Sequence, residues 1–477
     1  MKRNRLRILT ALLLLLSLLC GCERESASAQ TSSAARTSVS ATVETSATPA
    51  VTTTAPSVTP SEPAVDADEL IEEIRDLLDA GQCSDGNVEE ILRYLADTYG
   101  TDVLLSLASR LKEASYYREV WYEVTGNSYF VLWDLATGDA ERDGRIRLLS
   151  TGVPGAVNDT TVLTFGGDIC LADNYLPMQY MAKNGLSITD CIDPVLVEQM
   201  QADDITFMNN EFTISDRGTP MAGKYYTFRA AVKNTALYNT LGVDIVSLAN
   251  NHAYDYGTDA FLDTLDALEQ YGVDAVGGGE NLDEAMKPMY YIVNGRKIAY
   301  VAASRAEKYK LTPEATADSP GILRCYDTEK FLQVIREAEA NSDLVIACVH
   351  WGTEYSAELE EAQVSTARDY IDAGADLIVG AHAHQLQGIE YYKGKAIFYN
   401  LGNFWFNDYD IGTGLLKVEI LPDGSFRNTF LPALQTGCVT SYVGDEKKGG
   451  DILYWLRTHS DGVEIDADGV VTEVSDE

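Results

Sequence analysis

Four of the five histidines in this 477-residue chain stand directly after short apolar runs, and only His459 lies elsewhere. An aspartate, a glutamate and an asparagine follow such runs in the same way. The polar residues at these positions are Asp168, Glu211, Asn251, His252, His350, His382 and His384. Imidazole, carboxylate and amide groups together suit Zn, Mn or Fe. Because they outnumber the ligands of one tetrahedral ion, we predict a site for two divalent ions bridged by a carboxylate.

The same residue types indicate the chemistry that such a site would support. Two cations held about 3.5 to 4 Å apart lower the pKa of a shared water and provide a hydroxide for attack on phosphorus. His252, whose side chain ordinarily titrates near neutral pH, would then serve as a general acid. Asp255 either orients that imidazole or caps the helix expected from about Gly257, and we favour the cap.

From Asp159 onward, apolar runs alternate with amphipathic helical stretches, which predicts an α/β domain around a largely buried sheet. The runs expected to be strands read TVLTF, ITFM, VDIVSLA, VDAVGG, KIAYVAA, DLVIACV, ADLIVGA and KAIFYNL. Sheets of this kind bind ligands beyond the carboxyl ends of their strands, which is where the polar residues stand.

Five motifs in this region resemble those of the bacterial capsule-synthesis CapA (poly-γ-glutamate synthesis) family, which is similar to the calcineurin-like metallophosphoesterases. They read GGDICLAD, NNEF, SLANNHAYDYG, HWGTEY and GAHAHQLQGIEYYKGKAIFYNLGNF. The resemblance covers roughly residues 160–408, in order and without a missing block. It implies a calcineurin-like α/β/β/α sandwich, here preceded by a small helical segment.

The resemblance also implies roles for individual residues. The residues implied to bind metal are Asp168, Glu211 (the bridging carboxylate), Asn251, His350, His382 and His384. His252 matches the histidine that contacts the phosphate and protonates the leaving group. The chain departs from the superfamily pattern Asp-x-His, because Cys170 stands where that pattern has a histidine. Cys170 is either a thiolate ligand or a small buried residue, and the second is the commoner situation.

Three further residues are candidates for substrate binding. Arg229 could bind phosphate or carboxylate in a bidentate manner, although an isolated arginine is more often a surface residue. Glu354 and Asn403 stand in loops that belong to the motifs, and the Gly-Asn-Phe around Asn403 is equally typical of a turn.

The first residues are typical of a lipoprotein signal peptide. A positively charged start precedes about a dozen mostly apolar residues, which are too few for a mature membrane-spanning helix. The stretch ends Leu-Cys-Gly-Cys, so we predict lipid attachment at Cys22, with Cys20 as the alternative frame and an uncleaved anchor as the alternative interpretation. Each of these places the rest of the chain outside the cytoplasm, tethered to the cell membrane.

The composition divides the chain into five parts. They are a signal peptide at 1–22, a Ser/Thr/Ala/Pro tether at 23–65, a small mainly helical domain at 66–150, the CapA-like domain at 158–435 and an acidic C-terminal segment at 436–477. Within the helical part, the run YFVLWDLATGD looks like a strand-forming connector. Six cysteines remain after Cys22, and their pattern leaves the redox state open.

A formal net charge of −37 argues against nucleic acid as a partner, because polyanions are repelled. The resemblance to the CapA family, together with the signal-like start, implies an extracytoplasmic protein that acts on an anionic extracellular polymer or a phosphoester during capsule or poly-γ-glutamate synthesis or export, in contact with a membrane polymer-synthesis complex. Metal-dependent hydrolysis or transfer is the leading activity. The alternatives are a non-catalytic polymer-binding or assembly factor with structural metals, and a general metallophosphoesterase.

Overall fold

A computed structural model describes residues 66–80, 88–114, 117–306, 311–444 and 446–474. These described residues form one compact unit. The predicted signal peptide, the lipidation site Cys22, the tether and Cys83 lie outside the described residues. The other five cysteines, Cys170, Cys191, Cys325, Cys348 and Cys438, are buried free thiols. Among the residues that the structure describes, no helix is long and apolar enough to cross a membrane.

Helices occur at the start of the described region and then between the strands. They are α1 Ala67–Ala80, α2 Val88–Tyr99, α3 Thr101–Leu111, α4 Tyr117–Thr125, α5 Tyr129–Thr137, α6 Asp139–Arg142, α7 Leu176–Asn184, α8 Ile188–Cys191, α9 Pro194–Ala202, α10 Ala236–Leu241, α11 Thr258–Tyr271, α12 Leu282–Met286, α13 Glu329–Asn341, α14 Glu361–Asp372 and α15 Lys447–Thr458. A short 3-10 helix, Val232–Thr235, precedes α10.

The strands begin after the first helical region. They are β1 Ile146–Leu148, β2 Thr161–Ile169, β3 Ile205–Asn210, β4 Thr213–Ile214, β5 Arg229–Ala230, β6 Ile245–Ser247, β7 Asp274–Val276, β8 Gly278–Gly279, β9 Met289–Val293, β10 Arg296–Ser304, β11 Gly321–Ile322, β12 Leu344–His350, β13 Leu377–Ala381, β14 Ile389–Tyr392, β15 Lys395–Phe398, β16 Asn403–Trp405, β17 Ile411–Ile420, β18 Phe426–Thr436, β19 Val439–Tyr442, β20 Val463–Ile465 and β21 Val470–Glu473. Each of the eight apolar runs predicted to be strands contains one.

Within the described residues, two large sheets carry most of these strands. The first has the order β1-β9-β10-β12-β13-β15-β14. The second has the order β20-β21-β18-β17-β2-β3-β6-β7, with β16 beside β2 and β19 beside β18. Strands β10, β12, β13 and β15 run parallel in the first sheet, and β2, β3, β6 and β7 run parallel in the second. Parallel strands bring their carboxyl ends to one edge, and that edge carries the predicted site.

The two sheets pack face to face, and helices cover both outer faces. Phe165 and Phe207 of the second sheet share one buried cluster with Tyr300 and Ile346 of the first. A second cluster joins the outer face of the second sheet to helices such as α9 and α10, and a third joins the first sheet to α13 and α14. The layers are therefore α/β/β/α, as predicted. Sheets of this kind are buried on both faces, which explains why their strands read as continuous apolar runs.

The helices α1–α5 bury an apolar core of their own before the sheets begin. This region joins the first sheet through β1, which pairs in parallel with β9, and through a buried ion pair of 2.6 Å between Lys297 Nζ and Asp134 Oδ2. At the other end of the chain, residues 436–477 add β19, β20 and β21 to the second sheet.

The expected strand-forming connector at YFVLWDLATGD is wrong, because Tyr129–Thr137 form helix α5. The side chain of Ser128 caps this helix by accepting a hydrogen bond from the backbone N–H of Val131, and Gly138 ends it with a left-handed φ of 76°. Caps of this kind satisfy the free groups at helix ends. They outweigh the strand preference of the aromatic and β-branched residues between them.

Candidate metal centre

The carboxyl ends of five parallel strands bring the predicted ligands together. Asp168 lies near the end of β2, and Glu211 directly follows β3. His350 ends β12, whereas the loop after β6 carries Asn251 and the loop after β13 carries His382 and His384. The side chains of all six residues are buried.

Two groups of three ligand atoms form within this cluster. Glu211, His350 and His382 offer atoms that lie within 4.8 Å of one another, and so do Asp168, Glu211 and His384. Glu211 belongs to both groups, which is the position of a bridging carboxylate between two ions.

Glu211 also shows the clearest sign that the cluster fits a cation. Both of its carboxylate oxygens are buried and accept no hydrogen bond from any residue in the described ranges. Burial and the neighbouring charge of Asp168 raise the pKa of Glu211 well above its usual range. An isolated buried carboxylate is costly unless a partner compensates its charge, and a metal ion is such a partner.

Two of the candidate ligand histidines, His350 and His382, are held in the neutral form. Burial lowers the pKa of His382 to about 3, with a further contribution from His384, and burial lowers the pKa of His350 well below its usual range. Burial also acts to lower the pKa of His384, but Asp168 and Asn403 outweigh this effect and raise it. A neutral imidazole keeps a lone pair free for a metal.

Backbone strain marks the histidine loop. His382 has a φ of 97° and His384 a φ of 56°, both in the left-handed region that residues with a Cβ avoid. Strain of this kind persists where the surrounding structure requires it, and it is concentrated at functional sites. The Nδ1 atom of His382 has no hydrogen-bond partner among the described residues, as expected for a group that binds something else.

Asn403 supports the imidazole of His384. Its Oδ1 lies 2.8 Å from His384 Nδ1, which leaves Nε2 facing Glu211 Oε1 at 3.8 Å. Asn403 reaches this position because Gly167 lets β2 approach the preceding loop: a Cβ at Gly167 would lie 1.8 Å from the carbonyl oxygen of Gly402. The close approach of β2 to this loop therefore explains the glycine directly before Asp168.

His252 stands beside the ligands on a polar support. Its Nε2 lies 3.9 Å from Glu211 Oε1, and its Nδ1 lies 2.7 Å from Asp255 Oδ2. The favoured prediction that Asp255 caps the following helix is wrong. The N-cap residue of α11 is Gly257, and no side-chain hydrogen bond from the described residues caps this helix. Asp255 instead binds His252 and accepts a hydrogen bond of 2.7 Å from the backbone N–H of Phe228.

Lys224 is a member of this site that the sequence analysis missed. Its Nζ lies 2.8 Å from Asp255 Oδ1 and donates to the backbone carbonyl of Asn251, and its side chain is only 5% exposed. A lone lysine between glycine and tyrosine resembles an ordinary surface residue. Only the fold shows that Lys224 contacts Asp255, which in turn contacts His252, so that the three side chains form a linked series.

A family model described as "Bacterial capsule synthesis protein PGA_cap" matches residues 162–408, slightly more than half of the chain and the whole metal centre. The chain belongs to this family. It is 33% identical over 252 residues to the "PGA biosynthesis protein CapA" of Bacillus subtilis (strain 168), covering 52% of this chain and 64% of that protein. It is 38% identical over 170 residues to the "Capsule biosynthesis protein CapA" of Bacillus anthracis, covering 35% of this chain and 41% of that protein. The matches thus span less than two thirds of the length of each of these relatives.

Solved structures that match this PGA_cap member include the NAD nucleotidase (NadN) of Haemophilus influenzae and a 5'-nucleotidase from Candida albicans SC5314. The first is 12% identical with a TM-score of 0.31, and the match covers 64% of each chain. The second is 10% identical with a TM-score of 0.32, and the match covers 59% of this chain and 54% of that one.

The other predicted residues of this family member lie around the centre. The guanidinium of Arg229 packs 4.5 Å from the ring centroid of Tyr256 and donates to the carbonyls of Arg217 and Gly218, so in this structure it binds protein groups. Glu354 is exposed, and its charge contributes to raising the pKa of Glu211. Their roles in substrate binding, like that of Asn403, stay predictions.

Cys170 lies in the apolar cluster beneath the centre, and burial raises the pKa of its thiol well above the usual range. Among the described residues it belongs to neither group of ligand atoms. The environment is that of a small buried residue, the commoner of the two predicted situations.

Proposed function

We propose that this PGA_cap family member is an extracytoplasmic, metal-dependent hydrolase or transferase that acts on a phosphoester during the synthesis or export of a capsule or poly-γ-glutamate-type polymer. One observation carries the proposal: buried, unpartnered Glu211 is shared by two groups of ligand atoms, and His252 faces it with Asp255 behind. A purely structural metal site has no need of the second feature.

Two divalent ions, of Mn, Zn or Fe, fit the donor set. The residues that would hold them are Asp168, Glu211, Asn251, His350, His382 and His384. When bound, such ions lower the pKa of water and polarise a phosphoryl oxygen. The burial of the ligands excludes bulk water and strengthens the electrostatic interactions within the site.

His252, Asp255 and Lys224 would hold and deliver the proton in the proposed reaction. Asp255 accepts the Nδ1–H of His252 and so directs Nε2 towards Glu211, where a leaving oxygen would receive a proton. Burial lowers the pKa of His252, and the carboxylate of Asp255 opposes this effect by stabilising the imidazolium. Lys224 holds Asp255 from the other side, so the three side chains keep one orientation.

The second candidate function is a non-catalytic binding or assembly factor in which the metals hold a polymer end. It is favoured by Cys170, because a residue in the apolar core replaces a histidine of the phosphoesterase pattern. A general metallophosphoesterase is the third candidate, and the same residue counts against it.

The proposed setting is the outer face of the cell membrane, with a lipid on Cys22, the tether of residues 23–65 and a membrane complex for polymer synthesis as the partner. The support is the signal-like N-terminus in the sequence and membership of a family described by capsule synthesis.

Elemental analysis and hydrolysis assays on the same purified protein test the proposal. The substrates are p-nitrophenyl phosphate, its bis ester and poly-γ-glutamate. We expect about two metal ions per chain and turnover that His252→Ala abolishes while the metals remain. His459→Ala is the matched control, because His459 is exposed, follows α15 as its C-cap residue and belongs to neither group of candidate ligands. Metals without turnover would support the binding factor, and a protein without metal would overturn the centre itself.

A further inference from the structure

A continuous series of aromatic ring contacts crosses the candidate metal centre. The ring of Phe228 lies 4.5 Å from that of His252 and 5.5 Å from that of Phe406. The ring of Phe406 in turn lies 4.6 Å from that of His384. Phe228 and Phe406 are only 3% and 2% exposed, so they form a buried aromatic floor between the proton-carrying histidine and a ligand histidine.

Exposed tyrosines extend this floor at both ends. On one side Tyr226 stacks on Phe228 at 6.2 Å and meets Tyr225 at 4.7 Å. On the other side Tyr355 lies 5.5 Å from His384 and 5.9 Å from Tyr409. We define the tyrosine rim as Tyr225, Tyr226, Tyr355 and Tyr409, which are 90%, 55%, 48% and 51% exposed.

The rim is fixed to the centre at both sides. The backbone N–H of Tyr355 donates to the carbonyl of Ala383, between the two ligand histidines, at 2.8 Å. Tyr355 has a left-handed φ of 56°, which costs energy and indicates a required position. On the opposite side, the backbone of Phe228 is bonded to Asp255. A ligand on the rim would therefore touch the same groups that support the chemistry.

The chemistry of the rim selects a neutral ligand that carries hydroxyl groups. Tyrosine offers an apolar face and a polar tip. The exposed carboxylates of Glu354, Asp408 and Asp410 flank Tyr355 and Tyr409 along the chain. Carboxylates at such positions are able to accept hydrogen bonds from the hydroxyl groups of a ligand, and they would repel an anionic chain. Ring pairs inclined at 82° and 50° offer separate faces and tips, rather than one parallel slot for a flat base.

We propose that the tyrosine rim is a sugar-binding subsite, which seats the glycosyl group of a phosphoester while the phosphate lies in the metal centre. This inference rests on the proposed function and specifies its substrate class: a sugar phosphate or a glycan joined through phosphate. The sugar ring stacks on exposed tyrosine faces, and the flanking carboxylates bind its hydroxyl groups. The glutamate chain of a poly-γ-glutamate polymer lacks both features and carries the repelled charge.

Equilibrium binding to the purified full-length protein in Mn²⁺ tests the inference without requiring turnover. Calorimetry compares N-acetylglucosamine 1-phosphate, inorganic phosphate, AMP and a short poly-γ-glutamate. We expect the wild type to bind the sugar phosphate more tightly than the other three. Tyr226→Ala and Tyr355→Ala should each weaken that binding about tenfold and leave inorganic phosphate unchanged.

Tyr454→Ala is the matched control, because this tyrosine is 64% exposed on α15 and belongs to no part of the rim. Unchanged thermal unfolding of the rim variants would show that they fold. The inference would be overturned if AMP or poly-γ-glutamate bound more tightly than the sugar phosphate, or if the sugar phosphate did not bind. It would also be overturned if the rim variants lost as much affinity for inorganic phosphate as for the sugar phosphate. Rim-dependent sugar-phosphate binding without hydrolysis by the wild type would uphold the subsite and refute the proposed catalytic function.

Discussion

The substitution Glu211→Gln separates the free-energy cost of burying the carboxylate from the proposed role of that carboxylate in binding metal. Gln has nearly the same shape but carries no charge, so it removes the repulsion from Asp168 and cannot bridge two cations. Without metal, the wild type at pH 7 must bury a charge or protonate Glu211, whose pKa is raised by burial and by Asp168. Protonating an ordinary glutamate at pH 7 costs about 3.7 kcal/mol, and this value limits the penalty.

The substituted amide must itself be buried, at a cost of roughly 1 to 2 kcal/mol. We therefore expect Glu211→Gln to stabilise the metal-free protein by about 2 kcal/mol. Metal at about 100 times its dissociation constant stabilises the wild type by about 2.7 kcal/mol. For roughly 400 folded residues, the unfolding entropy of about 2.1 cal/mol/K per residue converts this gain to about 3 °C. The sign of the difference between the two proteins should therefore reverse on adding metal.

Scanning calorimetry of both proteins in EDTA and in Mn²⁺ measures this reversal. Asp244→Asn is the matched control, because Asp244 is a largely buried carboxylate that precedes β6, at the opposite end of that strand from the centre. The control should keep the full response to metal. If Glu211→Gln kept the wild-type response, Glu211 would not be a ligand. If it destabilised the metal-free protein, the argument from unpartnered burial would be wrong.

Three further predictions concern groups around and outside the centre. Lys224→Met should lower kcat about tenfold or more with little change in KM, because Asp255 loses the cation 2.8 Å away and no longer holds His252 in one orientation. Steady-state kinetics check this, once elemental analysis has shown that the variant and the wild type contain equal amounts of metal. Burial raises the pKa of Asp244 to about 6, so the free energy of unfolding should fall by up to about 3 kcal/mol between pH 4 and pH 7. The Asp244→Asn variant should not show this fall, and chemical denaturation of both proteins at several pH values measures the difference. Ser128→Ala should destabilise the protein by about 1 kcal/mol through loss of the α5 cap, with the exposed Ser365→Ala as control, and an unchanged denaturation midpoint would contradict the cap.

The pH dependence of Asp244 has a definite sign. Its pKa in the folded state lies above the ordinary 3.8, so the folded state binds the proton more tightly than the unfolded chain does. Stability is therefore highest below about pH 4 for this group alone and declines as the pH rises to 6. The Asn variant has no proton to lose, and its stability profile should be flatter over the same interval.

The sequence by itself indicated the layered α/β fold and the polar side chains that the structure brings together at one edge of the sheets. Strand identity was largely local in the two sheets, because short apolar runs bounded by polar residues are typical of buried strands. The polar residue after each run was visible for the same reason. Since parallel strands align their ends, Asp168, Glu211, His350, His382 and His384 could be expected at one edge without knowledge of the packing.

The tertiary structure alone decided how side chains far apart in sequence meet. Asp255 binds Lys224 and His252, not the helix that follows it, because the loop of Lys224 folds over the loop after β6. The tyrosine rim joins residues from segments more than 100 positions apart. Helix α5 formed where strand propensity predominated, because Ser128 and Gly138 capped it. Contacts of this kind depend on long-range packing, which local periodicity does not encode, and they bring the candidate ligands, the supported imidazole of His252 and the aromatic rings into one site.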